Sequence, residues 1–266
     1  MIDMPQLGFG TAPLVEVDWT ALTAEAIDVG YRHIDTAQMY DNEAAVGAGI
    51  RASGVSRDEL YVVTKIHQDR FLDGTALDSA RRSVDALGAP ADLILVHWPP
   101  RGLETEAVID VMLEVQAQGL TREIGVSNFN RPQLRAAAGR AKILTNQVEF
   151  HTLINQFDLL ETARGLGITL TAYTPILRGI VLEEPEVQAI ATRLEATPAQ
   201  VALAWVLCHG VAALCLSTKR ARLAENLAAG SLTLPPEDIA RLDTLARTRN
   251  ARHTRSEAWE PEWDAP

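Results

Sequence analysis

Residues 73–98 read DGTALDSARRSVDALGAPADLILVHW. The first part is a helical pattern that stops at Gly88, a residue suited to ending a helix. The second part, LILVHW at 93–98, is short and continuously apolar. Such a run fits a strand covered on both faces, as in a parallel sheet. The same pairing recurs in both directions along the chain. Upstream lie HIDTA (33–37) and YVVTKI (61–66), with the GFGT stretch (8–11) as a first strand. Downstream lie REIGVSN (122–128), ILTNQVEF (143–150), ITLTAYTP (168–175) and AALCLST (212–218). Helical patterns fill the gaps, from DWTALTAEAIDVG, with Asp18 as its cap and Gly30 as its stop, to RARLAENLAAG. One of them, PEVQAIATRLEATPAQVALAWVLCHG, reads as a single longer helix. Strand and helix alternate eight times without a linker rich in Pro, Gly or Ser. The predicted fold is therefore α/β, a (β/α)8 TIM barrel in a single domain spanning 1–266. PPEDIARLDTLA adds a helix after the eighth repeat, and the tail 247–266 carries Trp259 and Trp263. A tail with two indoles is expected to dock, here near the active-site mouth.

Composition narrows the function. The formal net charge is −11, which disfavours nucleic acid and anionic membrane as partners. No apolar run is long enough to span a bilayer, and the start MIDMPQLGFGT lacks the features of a secretory signal. Cys208 and Cys215 match no zinc or redox spacing and read as buried thiols in a reducing cytoplasm. The six His are scattered and no HExxH occurs, so no metal site is expected. The only lysines are Lys65, Lys142 and Lys219. A chain that otherwise uses Arg can keep Lys where a compact ammonium is needed.

In a TIM barrel the C-terminal strand ends form the active face. Here those ends carry Asp35, with Tyr40 just beyond, then Lys65, His97, Ser127, Asn128, Gln147, Tyr173, Ser217, Thr218 and Lys219. Taken singly, Tyr40 could be a solvated loop residue, His97 a core histidine and Asp35 a turn cap. The barrel order brings all of them to one mouth. A tyrosine is a poor acid or base at neutral pH unless a cation sits beside it. Lys65 can be that cation and Asp35 can hold it in place. His97 can orient a carbonyl oxygen through a neutral N–H. The set suits carbonyl reduction, with Tyr40 giving the proton and a nicotinamide giving hydride. GFGTAP keeps two glycines of the usual dinucleotide fingerprint, but no helix follows it. The candidate phosphate site is instead STKRARLAEN (217–226), where Ser217, Thr218, Lys219 and Arg222 stand at a helix start. Its plain alternative is an ordinary cationic helix terminus.

These motifs, namely HIDTAQMYDNEAAVG, VVTKI, LVHWPP, GVSNF, NQVEFH and the eighth-strand loop with its AEN, are similar to those of the aldo-keto reductases. The resemblance runs from GFGT to the end of the chain. STKRARLAEN and the final PEWD resemble a short bacterial branch that reduces 2,5-diketo-D-gluconate and methylglyoxal. The resemblance implies a catalytic tetrad of Asp35, Tyr40, Lys65 and His97. It implies cofactor contacts at Gly10, Thr11, Asp35, Ser127, Asn128 and Gln147, with Tyr173 stacking on the nicotinamide. It implies adenosine contacts at Ser217, Thr218, Lys219, Arg222, Glu225 and Asn226, hence NADPH as cofactor. Tyr40, His67, His97, Trp98 and Phe129 would line the substrate side. The expected substrate is a small-molecule carbonyl: an aldehyde, an α-dicarbonyl such as methylglyoxal, or a keto-sugar acid. A cytoplasmic monomer is expected. Leu216 stands where many relatives carry Lys, and His67 where many carry Trp. The loop TPILRGIVLEEP is short, which implies a weaker clamp over the cofactor. Two other expectations compete with this one. One is an NADPH-binding, redox-sensing regulatory subunit with slow turnover. The other is a barrel isomerase or lyase that grips a substrate phosphate with STKRAR.

Overall fold

The computed structural model describes residues 2–264. Eight parallel strands close into one barrel in chain order, β1-β2-β3-β4-β5-β6-β7-β8, with β8 pairing back to β1. The strands are β1 (Leu7–Gly10), β2 (His33–Asp35), β3 (Tyr61–Ile66), β4 (Ala91–Val96), β5 (Thr121–Ser127), β6 (Thr145–Glu149), β7 (Thr169–Tyr173) and β8 (Ala212–Cys215). Around them lie α1 (Trp19–Val29), α2 (Glu43–Ala52), a one-turn α3 (Asp69–Leu72), α4 (Ala76–Leu87), α5 (Thr105–Ala117), α6 (Arg131–Arg140) and α7 (Phe157–Gly165). They continue with α8 (Pro185–Arg193), α9 (Pro198–Cys208), α10 (Arg220–Ala228) and α11 (Pro236–Arg249).

The long helix expected between β7 and β8 is two helices, α8 and α9. Glu195 adopts φ +52 between them. Thr197 then opens α9 with a capping box to Gln200, and Pro198 occupies the first turn. The signal was present in LEATPAQ, because Thr followed by Pro and then Gln is a helix start. Elsewhere the expected punctuation operates. Asp18 accepts from the N–H groups of Thr20 and Ala21, and Gly88 ends α4 in the left-handed conformation.

The alternation of side chains along a strand sorts the core into two layers. Ile34, Val62, Ile66, Ile94, Val96, Ile124 and Val126 pack outward with the helices in one large cluster. Tyr61, Val63, Leu93 and Leu95 form a second cluster inside the barrel, and Ile2 and Met4 close it from below. Two glycines make room for that interior. A Cβ on Gly8 would lie 2.7 Å from Leu214, and one on Gly125 would lie 2.6 Å from Leu95. The period of two then determines what stands above the plug. Lys65 follows Tyr61 and Val63 on the inner face of β3, and His97 follows Leu93 and Leu95 on β4. Asp35 follows His33 on β2, and Ser127 follows Gly125 on β5. The polar rim is the top layer of the barrel core.

Candidate active site

Lys65 is fully buried, so its charge must be compensated. Its ammonium donates to Asp35 Oδ1 at 2.5 Å and to the Thr36 carbonyl at 2.8 Å. Burial alone would lower its pKa, but Asp35 and Tyr40 more than reverse this, and Lys65 stays charged with a raised pKa. The other carboxylate oxygen of Asp35 accepts from Gln147 Nε2 at 2.8 Å. Tyr40 lies half-buried at the rim, its ring centroid 5.2 Å from Lys65 Nζ. Burial raises the Tyr40 pKa, Lys65 lowers it and Asp35 raises it, and the net direction is up. Tyr40 therefore holds its proton. The His97 ring meets Tyr40 edge-on, with centroids 5.7 Å apart. Burial and then the Lys65 charge drive the His97 pKa well below its ordinary value. His97 is a neutral imidazole, and its buried Nδ1 has no hydrogen-bond partner among the described residues.

Three residues not assigned to the chemistry hold Tyr40 in place. Asn42 stands at the N-cap of α2, and Glu43 occupies its first turn. The Asn42 side chain does not cap that helix. It accepts from Thr36 Oγ1 at 2.9 Å and donates to the Thr11 carbonyl at 2.8 Å, tying the Tyr40 loop to the ends of β1 and β2. Gln38 makes four hydrogen bonds, to the His67 N–H, the Ser79 hydroxyl and carbonyl, and the Ser83 hydroxyl. Glu43 accepts from Thr64 at 2.5 Å and from Ser83 at 3.2 Å. Sequence spacing could not distinguish these roles from helix capping, because the partners come from other repeats.

On the opposite side of the mouth, Ser127 donates to the Gln147 carbonyl at 2.8 Å. Asn128 adopts φ +63, which turns its side chain back over the barrel. Its Nδ2 donates to the His97 carbonyl and to Ser127 Oγ, both at 3.1 Å. Its Oδ1 accepts from the Tyr173 hydroxyl at 2.7 Å. Thr11 follows Gly10 at the end of β1, donates its N–H to the Asp35 carbonyl, and leaves a buried hydroxyl without a partner among the described residues. These residues, from β1, β2, β5, β6 and β7, converge around one mouth.

The eighth-strand loop is different. Ser217 Oγ accepts the Lys219 N–H at 3.1 Å just before α10. Thr218, Lys219 and Arg222 are exposed. Arg220 is engaged by Asp28 at 2.7 Å, whereas Lys219 and Arg222 have no ion pair among the described residues. The Glu225 carboxylate accepts from Thr197 at 2.7 Å, and Asn226 is buried beneath the loop. After β7, Leu177, Arg178 and Gly179 all have positive φ, which puts a non-helical kink into the 3-10 stretch Leu177–Glu183.

The tail crosses the mouth beside His67 and Trp98. Trp259 meets His67 edge-on at 5.9 Å and Trp263 meets Trp98 at 6.3 Å. Phe129 is buried beside Trp263 along a cavity of about 160 Å³. Residues 265–266 of the tail lie outside the described residues. Among the described residues, no group of His, Cys, Asp and Glu could hold a metal ion, and no helix is long and apolar enough to cross a membrane. Both cysteines are free thiols, but only Cys215 is buried as expected, and burial pushes it up to about 12; Cys208, at the end of α9, is exposed.

The aldo/keto reductase family model matches residues 6–247. The chain is 40% identical over 270 residues to methylglyoxal reductase DkgB of Escherichia coli O157:H7, covering 98% of this chain and 99% of that one. The Salmonella typhi methylglyoxal reductase DkgB is 39% identical, with the same coverage. A crystal structure provisionally described as a 2,5-diketo-D-gluconic acid reductase B superposes with a TM-score of 0.94 at 37% identity, covering 98% of this chain and 94% of that one. The aldose reductase of Schistosoma japonicum superposes with a TM-score of 0.87 at 27% identity, over 94% and 90% of the two chains. An eight-stranded barrel with an Asp–Lys–Tyr–His rim and this breadth of similarity leaves one assignment: the chain is an oxidoreductase of the aldo/keto reductase family.

Proposed function

We propose that this protein is an NADPH-dependent reductase of small carbonyl compounds, working as a cytoplasmic monomer. The substrates that fit this reading are aldehydes, α-dicarbonyls such as methylglyoxal, and keto-sugar acids such as 2,5-diketo-D-gluconate. The observation that carries it is the Lys65 ammonium, fully buried, held by Asp35 and set beside Tyr40 and a neutral His97.

The residues present fit a nicotinamide dinucleotide. Gly10, Thr11, Asp35, Ser127, Asn128 and Gln147 offer amide, hydroxyl and carboxylate groups at the strand ends, and the Thr11 hydroxyl is an unused buried donor. Tyr173 offers a flat aromatic face beside them. Lys219 and Arg222, with Ser217 and Thr218, would hold a 2′-phosphate, because charge-assisted contacts at a helix start favour an anion. Glu225 and Asn226 stand next to that position. Bound NADPH would supply the hydride. The chain itself supplies the proton and the field around the oxygen. His97 donates a hydrogen bond to the carbonyl oxygen. Tyr40 gives its phenolic proton to that oxygen as negative charge develops on it. The Lys65 ammonium stabilises the phenolate left behind, and Asp35 with the Thr36 carbonyl keeps the ammonium aimed. His67, Trp98 and Phe129 border the substrate.

The test is NADPH consumption with methylglyoxal by wild-type protein and by Tyr40→Phe. The variant should lose about 10²–10⁴-fold in kcat while binding NADPH as before. A wild-type rate in Tyr40→Phe would remove Tyr40 as the acid.

A further inference from the structure

We infer that Glu149 is the positioning residue that hangs the C-terminal tail across the mouth and so sets the aperture through which a substrate enters. The kinetic part of this inference rests on the proposed reductase activity; the structural part does not.

Glu149 is the last residue of β6 and is fully buried. It has no place in the chemistry above, and an isolated buried carboxylate would be costly. Its partners are the start of the tail. Oε1 accepts the His253 N–H and Oε2 the Thr254 N–H, each at 2.9 Å. His151 Nε2 lies 2.9 Å from Oε1, and Arg252 Nη1 lies 3.9 Å from Oε2. One residue earlier, the Ala251 N–H donates to the Leu153 carbonyl at 2.7 Å. Asn250 ends α11 in the left-handed conformation, so the chain turns there and passes directly into this anchor. Burial pushes the Glu149 pKa up, and the hydrogen bonds from His151, His253 and Thr254 bring it below its ordinary value. The carboxylate is ionised and saturated.

Beyond the anchor, the tail reaches the substrate side through Trp259 on His67 and Trp263 on Trp98. Its other ties are more exposed: single bonds from Arg101 to the Glu260 carbonyl and from Asn130 to the Glu262 carbonyl, and Asp264, which accepts the Arg131 N–H at 2.9 Å and pairs with Arg131 Nε at 3.3 Å. Fully buried charge-assisted bonds outweigh those open to solvent. The dominant hold on the tail is therefore at its root. Glu149 is also the register partner of Tyr173 and lies two residues beyond Gln147 on the same inner face of β6. One strand thus carries both a cofactor-side residue and the tail anchor.

Glu149→Gln keeps the volume but turns an NH2 group toward one of the two backbone donors, leaving that donor unpaired. Three full-length variants test the inference: Glu149→Gln, Glu149→Asp, and the double change Trp259→Ala with Trp263→Ala. Tryptic cleavage after Arg252 and Arg255 should be at least tenfold faster in Glu149→Gln than in wild type. Its KM for a bulky aromatic aldehyde should shift by about fivefold or more, with kcat within about twofold. Placed on the double tryptophan background, Glu149→Gln should add no further KM change, because the tail no longer borders the substrate. Should Glu149→Gln fail to fold, Glu149→Asp keeps the charge, shortens the reach and should give the same faster cleavage. Unchanged cleavage in a folded variant overturns the anchor. So does a KM shift that persists in full on the tryptophan background, since it would act through the barrel. If wild-type protein consumes no NADPH with any carbonyl, the proposed function fails, and cleavage still decides the anchor.

Discussion

The tetrad and the eighth-strand loop both present cations at the barrel mouth, and they are built in opposite ways. Lys65 is buried, and the acceptors around it, Asp35 Oδ1 and the Thr36 carbonyl, hold it from within. Lys219 and Arg222 are exposed and make no ion pair among the described residues. A group that must stabilise charge during a reaction gains from a dry, prearranged setting. A group that must catch and release a phosphate has to remain reachable from solvent. Burial of one cation and exposure of the other thus follow from what each is proposed to do.

The largest effects should appear where the contrast is removed from the buried side. Lys65→Met leaves the Asp35 carboxylate buried with only Gln147 as partner. It should abolish carbonyl reduction and destabilise the fold by about 3–5 kcal/mol, read by chemical denaturation. A loss under about 1 kcal/mol would mean that water reaches Asp35, and the buried half of the comparison would collapse.

On the exposed side, combined Lys219→Ala and Arg222→Ala should weaken NADPH about 10–100-fold, from two charge-assisted contacts. Fluorescence titration should show NADH changing by less than about threefold. Equal losses for the two nucleotides would show that the loop does not read the 2′-phosphate. The smaller basic set matters here, because Leu216 offers no charge of its own.

A moderate effect is expected with pH. His33 and His97 are both buried with lowered pKa values, burial being the main cause in each. The unfolded chain therefore binds more protons than the native one below about pH 6.5. Their contribution is fully present above that value and is lost as pH falls through it. Denaturation midpoints should decline from about pH 7 to about pH 5, whereas kcat/KM should show no inflection from His97 near neutrality. A rate inflection there that vanishes in His97→Gln would contradict the neutral imidazole.

The smallest effect belongs to Arg220, the cation next to Lys219. It is tied to Asp28 on α1. Arg220→Ala should cost at most about 1 kcal/mol, as an exposed ion pair does, and leave the NADPH-to-NADH affinity ratio unchanged. A changed ratio would show that paired and unpaired cations in this loop are equivalent, which blurs the distinction drawn between them.

The buried side of this comparison was the more legible in sequence. Asp35, Lys65 and His97 lie at the ends of apolar runs, and a strand period of two carries them inward from Val63, Leu93 and Leu95. The short apolar strands, the glycine stops and the Asp18 cap encode local structure, and local signals survive in a linear reading. The break between α8 and α9 was also encoded, in Thr197, Pro198 and Gln200, but strong helical periodicity on both sides obscured it.

Other features had no local signal. Asn42 looks like a helix cap and instead bridges two strand ends. Gln147 reads as a cofactor contact, and its amide also holds Asp35. Glu149 sits in an apolar run with nothing to mark it, and the tail N–H groups it holds lie more than a hundred residues away. By itself the sequence determined the eight-fold alternation and which residues reach the rim, because turns, caps and side-chain period act over a few residues. Only the tertiary structure decided which polar groups satisfy one another. Closing the barrel and laying the tail across it bury donors and acceptors from distant repeats together, and each must find a partner where water is excluded.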